Sequence, residues 1–148
     1  MRDQGTTLNS LEDPTIPVRL RIAAAWTSFM FLYIYVDYFA LYKPGFIDEI
    51  LGGTVHEFKT GPMFVGLALT LVAIPSLMIL LSVTLPARAN RTVNLVVAAL
   101  YVPVSIYNAA GEPWSYAYFY GFAIGLEVLI LLVILRSAWT WPRASTFQ

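Results

Sequence analysis

Two carboxylates lie inside long apolar stretches of the sequence, and they are the side chains most able to do chemistry. Glu127 is the one charged residue of AIGLEVLILLVIL, residues 123–135, and Asp37 is the one charged residue of YIYVDYFALY, residues 33–42. An acid at the centre of a bilayer costs about 2 to 3 kcal/mol, so it normally faces the interior of a helix bundle and finds a partner there. The sequence therefore predicts a polar interior around Glu127 and Asp37.

A third apolar stretch carries a polar stripe that would supply the partners. Its members recur at intervals of 4, 3, 4 and 3 residues and so share one helix face: Asn94, Ala98, Tyr101, Ser105 and Asn108. Such a stripe must face other helices or water, because lipid would leave its polar groups unpaired. At about 1.5 Å per residue, Tyr101 lies at the depth of Glu127, and Asn108 lies at the depth of Asp37.

These positions predict a polar column through the bundle. Tyr116 and Tyr120 share the helix face of Glu127 and would lie near the mouth with Asp37 and Asn108. Lower down, Glu127 would be neutral or hydrogen-bonded to Tyr101. Two interpretations stay open: the polar groups hold the helices together by hydrogen bonds, or they line a cavity that binds a ligand or passes protons.

Other chemistry finds little support in the residues. The chain has no cysteine, and its one histidine, His56, lacks the clustered partners that a metal site needs. Glycine-rich phosphate loops, HExxH and GxSxG are absent from the sequence. We expect no metal and no cofactor. Arg88 and Arg91, in PARANR, could contact anionic lipid headgroups, although setting the membrane topology is the simpler role.

Composition indicates the environment in which these groups act. The chain is 58% hydrophobic and only 12% charged, whereas soluble domains are about a quarter charged. A net charge of zero without a basic block argues against a nucleic-acid partner. The expected partner is the lipid bilayer.

Four stretches are long enough to cross a bilayer, and they predict an all-α bundle of four transmembrane helices. They cover about residues 22–42, 63–85, 93–110 and 114–135, with Pro62, Pro86 and Pro113 at boundaries. Pro75 and Pro103 lie inside spans, where each frees a carbonyl that a neighbouring helix must satisfy. A polar tail, residues 1–18, precedes this domain of residues 19–142, and residues 143–148 follow it.

Basic residues predict the orientation. Seven arginines flank the spans on one side, Arg2, Arg19, Arg21, Arg88, Arg91, Arg136 and Arg143, whereas Lys43 and Lys59 lie on the other. This bias predicts that both termini are cytoplasmic, in a bacterial inner membrane. The loop KPGFIDEILGG is then extracytoplasmic, and its apolar residues share one face of a short helix that ends at Gly52-Gly53. That helix would lie in the interface or cap the bundle, unless the segment is a solvated loop.

Two further patterns concern the helix surfaces. Tyr33, Tyr35, Tyr38 and Tyr42 crowd one half of the first span, and we expect them to form a belt at the membrane interface. Gly121 and Gly125 form a GxxxG match, which could bring two helices close within the bundle or between protomers.

The sequence resembles a family of uncharacterised bacterial four-helix membrane proteins. The resemblance covers about residues 25–142 and rests on YIYVDYFALYKPGFIDEILGG, LLSVTLPARANRTVN and GLEVLILLVILRSAWTWP. Similar members carry Glu-Ile-Pro in the second span, where this chain has Ala73-Ile74-Pro75. The departure argues against a mechanism that needs two acids at mid-depth. The resemblance implies the topology and no activity.

Three hypotheses of function follow. The first is a protein whose interior binds, and in an oligomer transports, a small amphipathic or lipophilic molecule. The second is an accessory or scaffold subunit of a larger membrane complex, in which the buried polar residues only join helices. The third, an intramembrane enzyme with Glu127 or Asp37 as acid or base, lacks a nucleophile, a metal and a cofactor clamp.

Overall fold

The computed structural model describes residues 14–55, 57–110 and 112–142. Its elements, in chain order, are α1 (Val18–Ala40), α2 (Phe46–Leu51), β1 (Thr54–Val55), β2 (Phe58–Lys59), α3 (Pro62–Thr84), α4 (Ala87–Tyr107), a 3-10 turn (Trp114–Tyr116) and α5 (Ala117–Trp139). The four long helices are long and apolar enough to cross a membrane. The prediction of an all-α bundle of four transmembrane helices is confirmed.

The long helices form a ring in the order α3, α1, α5, α4. Helix α1 packs extensively against both α3 and α5, and α5 packs against α4. Helices α3 and α4 follow each other in the chain but contact each other far less. Helices α1 and α4 therefore lie diagonally across the bundle, and the ring is loose between α3 and α4.

The bundle has two distinct ends. One end carries both ends of the described chain and the α3–α4 turn at Leu85 and Pro86, and we call it the termini end. The other carries α2, the β1–β2 hairpin and the 3-10 turn, and we call it the loop end. From residue 62 to residue 70 at the loop end, every residue of α3 except Phe64 is exposed. Helix α3 therefore packs on the bundle mainly through its half at the termini end.

Three helix boundaries differ clearly from the prediction, and the first is the start of α1 at Val18 instead of about residue 22. Helix α4 begins directly after Pro86, so Arg88 and Arg91 belong to its first two turns and not to a loop. The arginines of PARANR suggested a connection, but arginine and alanine both favour helix once the helix has begun. Helix α5 continues past residue 135 to Trp139 and stops before Pro142, which disfavours helical backbone in the residue before it.

The connection between α1 and α3 is more ordered than the sequence suggested. The predicted short helix is present as α2, and its last residue is followed by Gly52 and Gly53. Gly45 and Gly53 have positive φ angles of 83° and 82°, a conformation that glycine adopts without strain, so they turn the chain at each end of α2. Beyond Gly53, β1 and β2 pair in antiparallel fashion, and this hairpin was not predicted.

An aromatic cluster forms the centre of the core. Trp26 and Phe29 of α1 meet Tyr101 of α4 edge to face, with ring centroids 6.2 Å and 5.8 Å from the Tyr101 ring. Tyr33 stacks on Phe29 at 5.5 Å and is only 5% exposed. The prediction of an interfacial belt is therefore wrong for Tyr33, because its helix face turns toward the core. Tyr35, Tyr38 and Tyr42 are exposed.

Candidate functional site

A buried hydrogen-bonded network joins three helices near the termini end. The indole Nε1 of Trp26 donates to Asn94 Oδ1 at 2.6 Å, and Asn94 Nδ2 donates to Asn90 Oδ1 at 2.7 Å. Asn90 Nδ2 donates to the carbonyl of Ser82 at 2.5 Å, and the Ser82 hydroxyl lies 3.3 Å from Asn94 Oδ1. Asn94, Asn90 and Ser82 are fully buried. Because these side chains satisfy one another, this part of the predicted column joins helices and lines no cavity.

A second polar contact supplies a hydrogen-bond donor to a backbone carbonyl of α3. Pro75 has no N–H, so the carbonyl of Leu71, four residues earlier, lacks its helical donor. The hydroxyl of Tyr101 donates to that carbonyl at 2.8 Å. The expectation that a neighbouring helix satisfies the carbonyl freed by Pro75 is confirmed. The predicted bond from Tyr101 to Glu127 is wrong, since the hydroxyl is committed to α3.

Above these contacts, toward the loop end, the bundle forms an open cavity of about 1060 Å³ between α1, α3 and α4. Its apolar and aromatic lining comes mainly from these three helices, α2 and the hairpin, and includes Phe46, Phe58, Phe64, Leu67, Ala68, Leu71, Val104 and Tyr107. Its polar lining comprises Asp37, Glu57, Asn108, Tyr33 and Tyr120. Phe46 of α2 and Phe58 of the hairpin line the cavity, so the connection between α1 and α3 contributes to its wall at the loop end.

Asp37 of α1 is, with Glu57, one of the two described acids that line this cavity. It is accessible from the cavity and makes no hydrogen bond or ion pair with any described residue. Asn108, half-buried, lies beside the Tyr33 hydroxyl on the same wall. Among the described lining residues there is no lysine or arginine. The cavity therefore combines two carboxylates, Asp37 and Glu57, with neutral hydrogen-bonding groups and aromatic rings.

Lys43, a lysine close to the cavity, lies outside its lining and is bound by other side chains of the protein. Lys43 Nζ lies 2.5 Å from Glu112 Oε2 and 3.3 Å from the Tyr120 hydroxyl. It also lies 5.2 Å from the ring centroids of both Tyr116 and Tyr120. The side chains of Lys43 and Glu112 are 12% and 5% exposed. Of the two tyrosines predicted for the mouth, Tyr116 holds Lys43 only, whereas Tyr120 both contacts Lys43 and lines the cavity.

Glu127 lies deeper than the cavity and does not line it. The residue is 1% exposed, and neither carboxylate oxygen has a hydrogen-bonding partner among the described residues. Ser105 of α4, fully buried, is its neighbour, but their separation falls outside hydrogen-bonding geometry, and the Ser105 hydroxyl also lacks a described partner. Asp37 is near enough to interact with Glu127 through space. Glu127 and Ser105 are therefore neighbouring buried polar groups, on α5 and α4, without a hydrogen-bonding partner among the described residues.

The structure gives the two arginines of the α3–α4 turn different surroundings. Arg88 is exposed at the termini end. Arg91 Nε donates to the carbonyl of Ala138 at 3.2 Å, and its guanidinium lies 5.9 Å from the Trp139 ring. Arg91 therefore binds the last turn of α5, where carbonyls are unpaired and a positive charge is favourable. Headgroup contact stays a prediction for both arginines.

The GxxxG glycines do not pack inside the bundle. Gly121 and Gly125 are exposed, and a side chain built on either would meet no atom of the described chain within 4 Å. The alternative in which this motif brings two helices of one chain close together is therefore wrong. The motif stays available to lipid or to another protein.

Sequence reasoning missed several of these residues. Asn90 lies one helical turn before Asn94 and continues the polar stripe, but starting the third span at residue 93 left it out. Ser82, Trp26 and the pairing of Lys43 with Glu112 carry no local signal. His56 lies outside the described residues, and within the described part of the chain no three histidine or acidic side chains are grouped to hold a metal.

The fold and the cavity define a four-helix integral membrane protein with an acidic, aromatic cavity at one end of its bundle. The chain belongs to the family of unknown function DUF6326, whose model matches residues 18–146. Comparison with curated proteins and with solved structures gives no significant match. The match extends over all four long helices and confirms the family resemblance.

Proposed function

We propose that this protein binds a small amphipathic or lipophilic molecule in the cavity between α1, α3 and α4. The observation that carries the proposal is the cavity itself. Its volume of about 1060 Å³ is at the upper end of the range of small-molecule sites, and its mostly apolar wall with a few polar groups has their composition. The apolar part of the ligand would lie against α3, and its polar end would lie at Asp37 and Asn108.

Access favours a ligand that arrives from the loop end or from the surrounding lipid. Helix α3 is exposed over residues 62–70 and makes little contact with α4, so the cavity has a loose side wall. In the orientation predicted from the basic residues, the loop end is extracytoplasmic. The aromatic cluster and the Asn94 network close the bundle below. Transport to the other side would therefore require α3 to move relative to α4, and Pro75, where α3 lacks a backbone hydrogen bond, is the position at which it would bend.

The proposal is tested by filling the cavity. Ala68 of α3 lines the cavity, whereas Leu69, the next residue, is 66% exposed and does not line it. Native mass spectrometry of protein released gently from membranes should show a bound small mass on the wild type and on Leu69→Trp, and none on Ala68→Trp. A mass that persists on Ala68→Trp, or a wild type without any bound molecule, would contradict binding in this cavity.

A second candidate function, an accessory subunit of a membrane complex, is favoured by the exposed GxxxG face. Gly121 and Gly125 lie on α5 with no described atom close enough to meet a side chain. A partner helix could approach this face closely. Gly125→Leu should then lose a copurifying partner chain, whereas Gly66→Leu, an equally unobstructed glycine on α3, should keep it. Retention of every partner by Gly125→Leu would remove this motif from consideration.

A further inference from the structure

We infer that the cavity selects a lipophilic organic cation, an amine or quaternary ammonium, with Asp37 as its counter-ion. This inference rests on the proposed function and deepens it by naming the class of ligand. It follows from the charges around the cavity, from the aromatic composition of its wall and from the way in which the chain holds its own ammonium group nearby.

Among the described residues that line the cavity, two are acids and none is a lysine or an arginine. Asp37 is exposed and has no ion pair or hydrogen bond with the described residues, so its carboxylate is free to pair with a cation. Glu57, the second acid of the lining, adds negative potential at the mouth. The only lysine near this wall among the described residues, Lys43, is already bound to Glu112. An organic cation would supply the missing charge, whereas an anion would be repelled.

Lys43 shows how this end of the bundle accommodates an ammonium group. Its Nζ combines one carboxylate, Glu112, with three aromatic rings at 5.2 to 5.5 Å: Phe46, Tyr116 and Tyr120. Rings at this distance attract a cation through their negative faces. The Lys43 ammonium therefore occupies a site formed by one carboxylate and an aromatic cage.

The cavity offers the same combination to a ligand. Asp37 supplies the carboxylate, and six rings line the wall: Tyr33, Phe46, Phe58, Phe64, Tyr107 and Tyr120. Leu67, Leu71 and Val104 provide apolar surface for the body of the ligand.

Shape-matched probes of opposite charge test this selectivity. Tetraphenylphosphonium and tetraphenylborate have the same size and four phenyl rings, and triphenylphosphine oxide is a related neutral molecule. Binding is measured to the protein in nanodiscs of zwitterionic lipid, against empty nanodiscs. We expect the cation to bind at least tenfold more tightly than the anion, a difference of about 1.4 kcal/mol. We expect Asp37→Asn to weaken binding of the cation by about tenfold and to leave the oxide unchanged.

Two matched variants separate this charge from the general charge of the loop end. Asp48→Asn removes an exposed acid of α2 that does not line the cavity, and it should keep the preference for the cation. Asp37→Glu keeps the charge and should keep the preference too, which shows that the site tolerates substitution. Size-exclusion profiles identical to the wild type verify that each variant is folded.

The outcomes distinguish this inference from the proposed function. Equal binding of the three probes, preference for the anion, absence of cation binding, or an unchanged preference in Asp37→Asn would each overturn selectivity for a cation. None of these results bears on whether Ala68→Trp loses a naturally bound molecule, which decides the proposed function by itself.

Discussion

Tyr101 donates its hydroxyl to the carbonyl oxygen of Leu71 at 2.8 Å, and Leu71 is the residue whose carbonyl Pro75 leaves without a helical donor. The bond joins α4 to α3 at the level of the proline, at the edge of the cavity that Leu71 lines. It shows why a proline is tolerated in the middle of this span: a side chain of the neighbouring helix replaces the missing backbone N–H.

Removing this hydroxyl should destabilise the protein in a way that depends on Pro75. We expect Tyr101→Phe to lower the free energy of unfolding by about 1 kcal/mol, because the carbonyl of Leu71 loses the hydroxyl that replaces its helical donor. In the background of Pro75→Ala the backbone supplies that donor, so the same change should cost much less. Unfolding in mixed micelles measures both costs. Equal costs in the two backgrounds would show that the hydroxyl does not compensate for the proline.

The network around Asn94 should be among the most sensitive parts of the bundle. Asn94→Ala leaves the indole N–H of Trp26 and the amide of Asn90 without their side-chain partners in a buried place. We expect a loss of about 1 to 3 kcal/mol, since each membrane hydrogen bond contributes about 0.6 to 2 kcal/mol. Thr92→Ala is the control, because the Thr92 hydroxyl is exposed and bonds only to the carbonyl of Arg88 within α4. Similar unfolding temperatures for the two variants would contradict the importance of the network.

The sequence predicts the four helices because each is a long apolar run bounded by proline. It also predicts which face of α4 turns inward, since Asn94, Tyr101 and Ser105 interrupt an otherwise apolar segment at helical spacing. On α4 the pattern is informative because polar and apolar residues alternate around the helix. On α3 nearly every position is apolar, so periodicity does not indicate which face packs on the bundle.

The shape of the cavity and the partners of the polar side chains could not be predicted, because both depend on how separate helices are placed relative to one another. Whether the interior is packed or hollow depends on how far α3 diverges from α4, and no pattern in α3 indicates this divergence. The donor to Leu71 depends on a proline in one helix and a tyrosine in another. The pairing of Lys43 with Glu112 joins residues 69 positions apart, and neither has a local sequence signal.

The ion pair of Lys43 with Glu112 should stabilise the contact between the end of α1 and the segment before α5. Glu112→Ala leaves the Lys43 ammonium mostly buried without its carboxylate, and we expect a loss of about 3 kcal/mol. The double variant Lys43→Met/Glu112→Leu removes both charges and should recover most of the loss. Lys59→Met, which removes an exposed lysine at the same end, should have little effect. Thermal unfolding of the four proteins checks this order, and a double variant no more stable than Glu112→Ala would contradict it.

Glu127 should destabilise the folded protein, and an apolar residue in its place should stabilise it. Its carboxylate is buried, and neither oxygen has a partner among the described residues, so the folded state carries the penalty of an unsatisfied polar group. We expect Glu127→Met, which has a similar volume and no polar oxygen, to raise the free energy of unfolding by about 1 to 2 kcal/mol. Glu127→Gln keeps two polar atoms in the same place and should change it much less. The comparison is made by thermal unfolding of both variants in the same detergent. If Glu127→Met is instead less stable than the wild type, the carboxylate has a bonded partner in the membrane, and its role is to hold that partner.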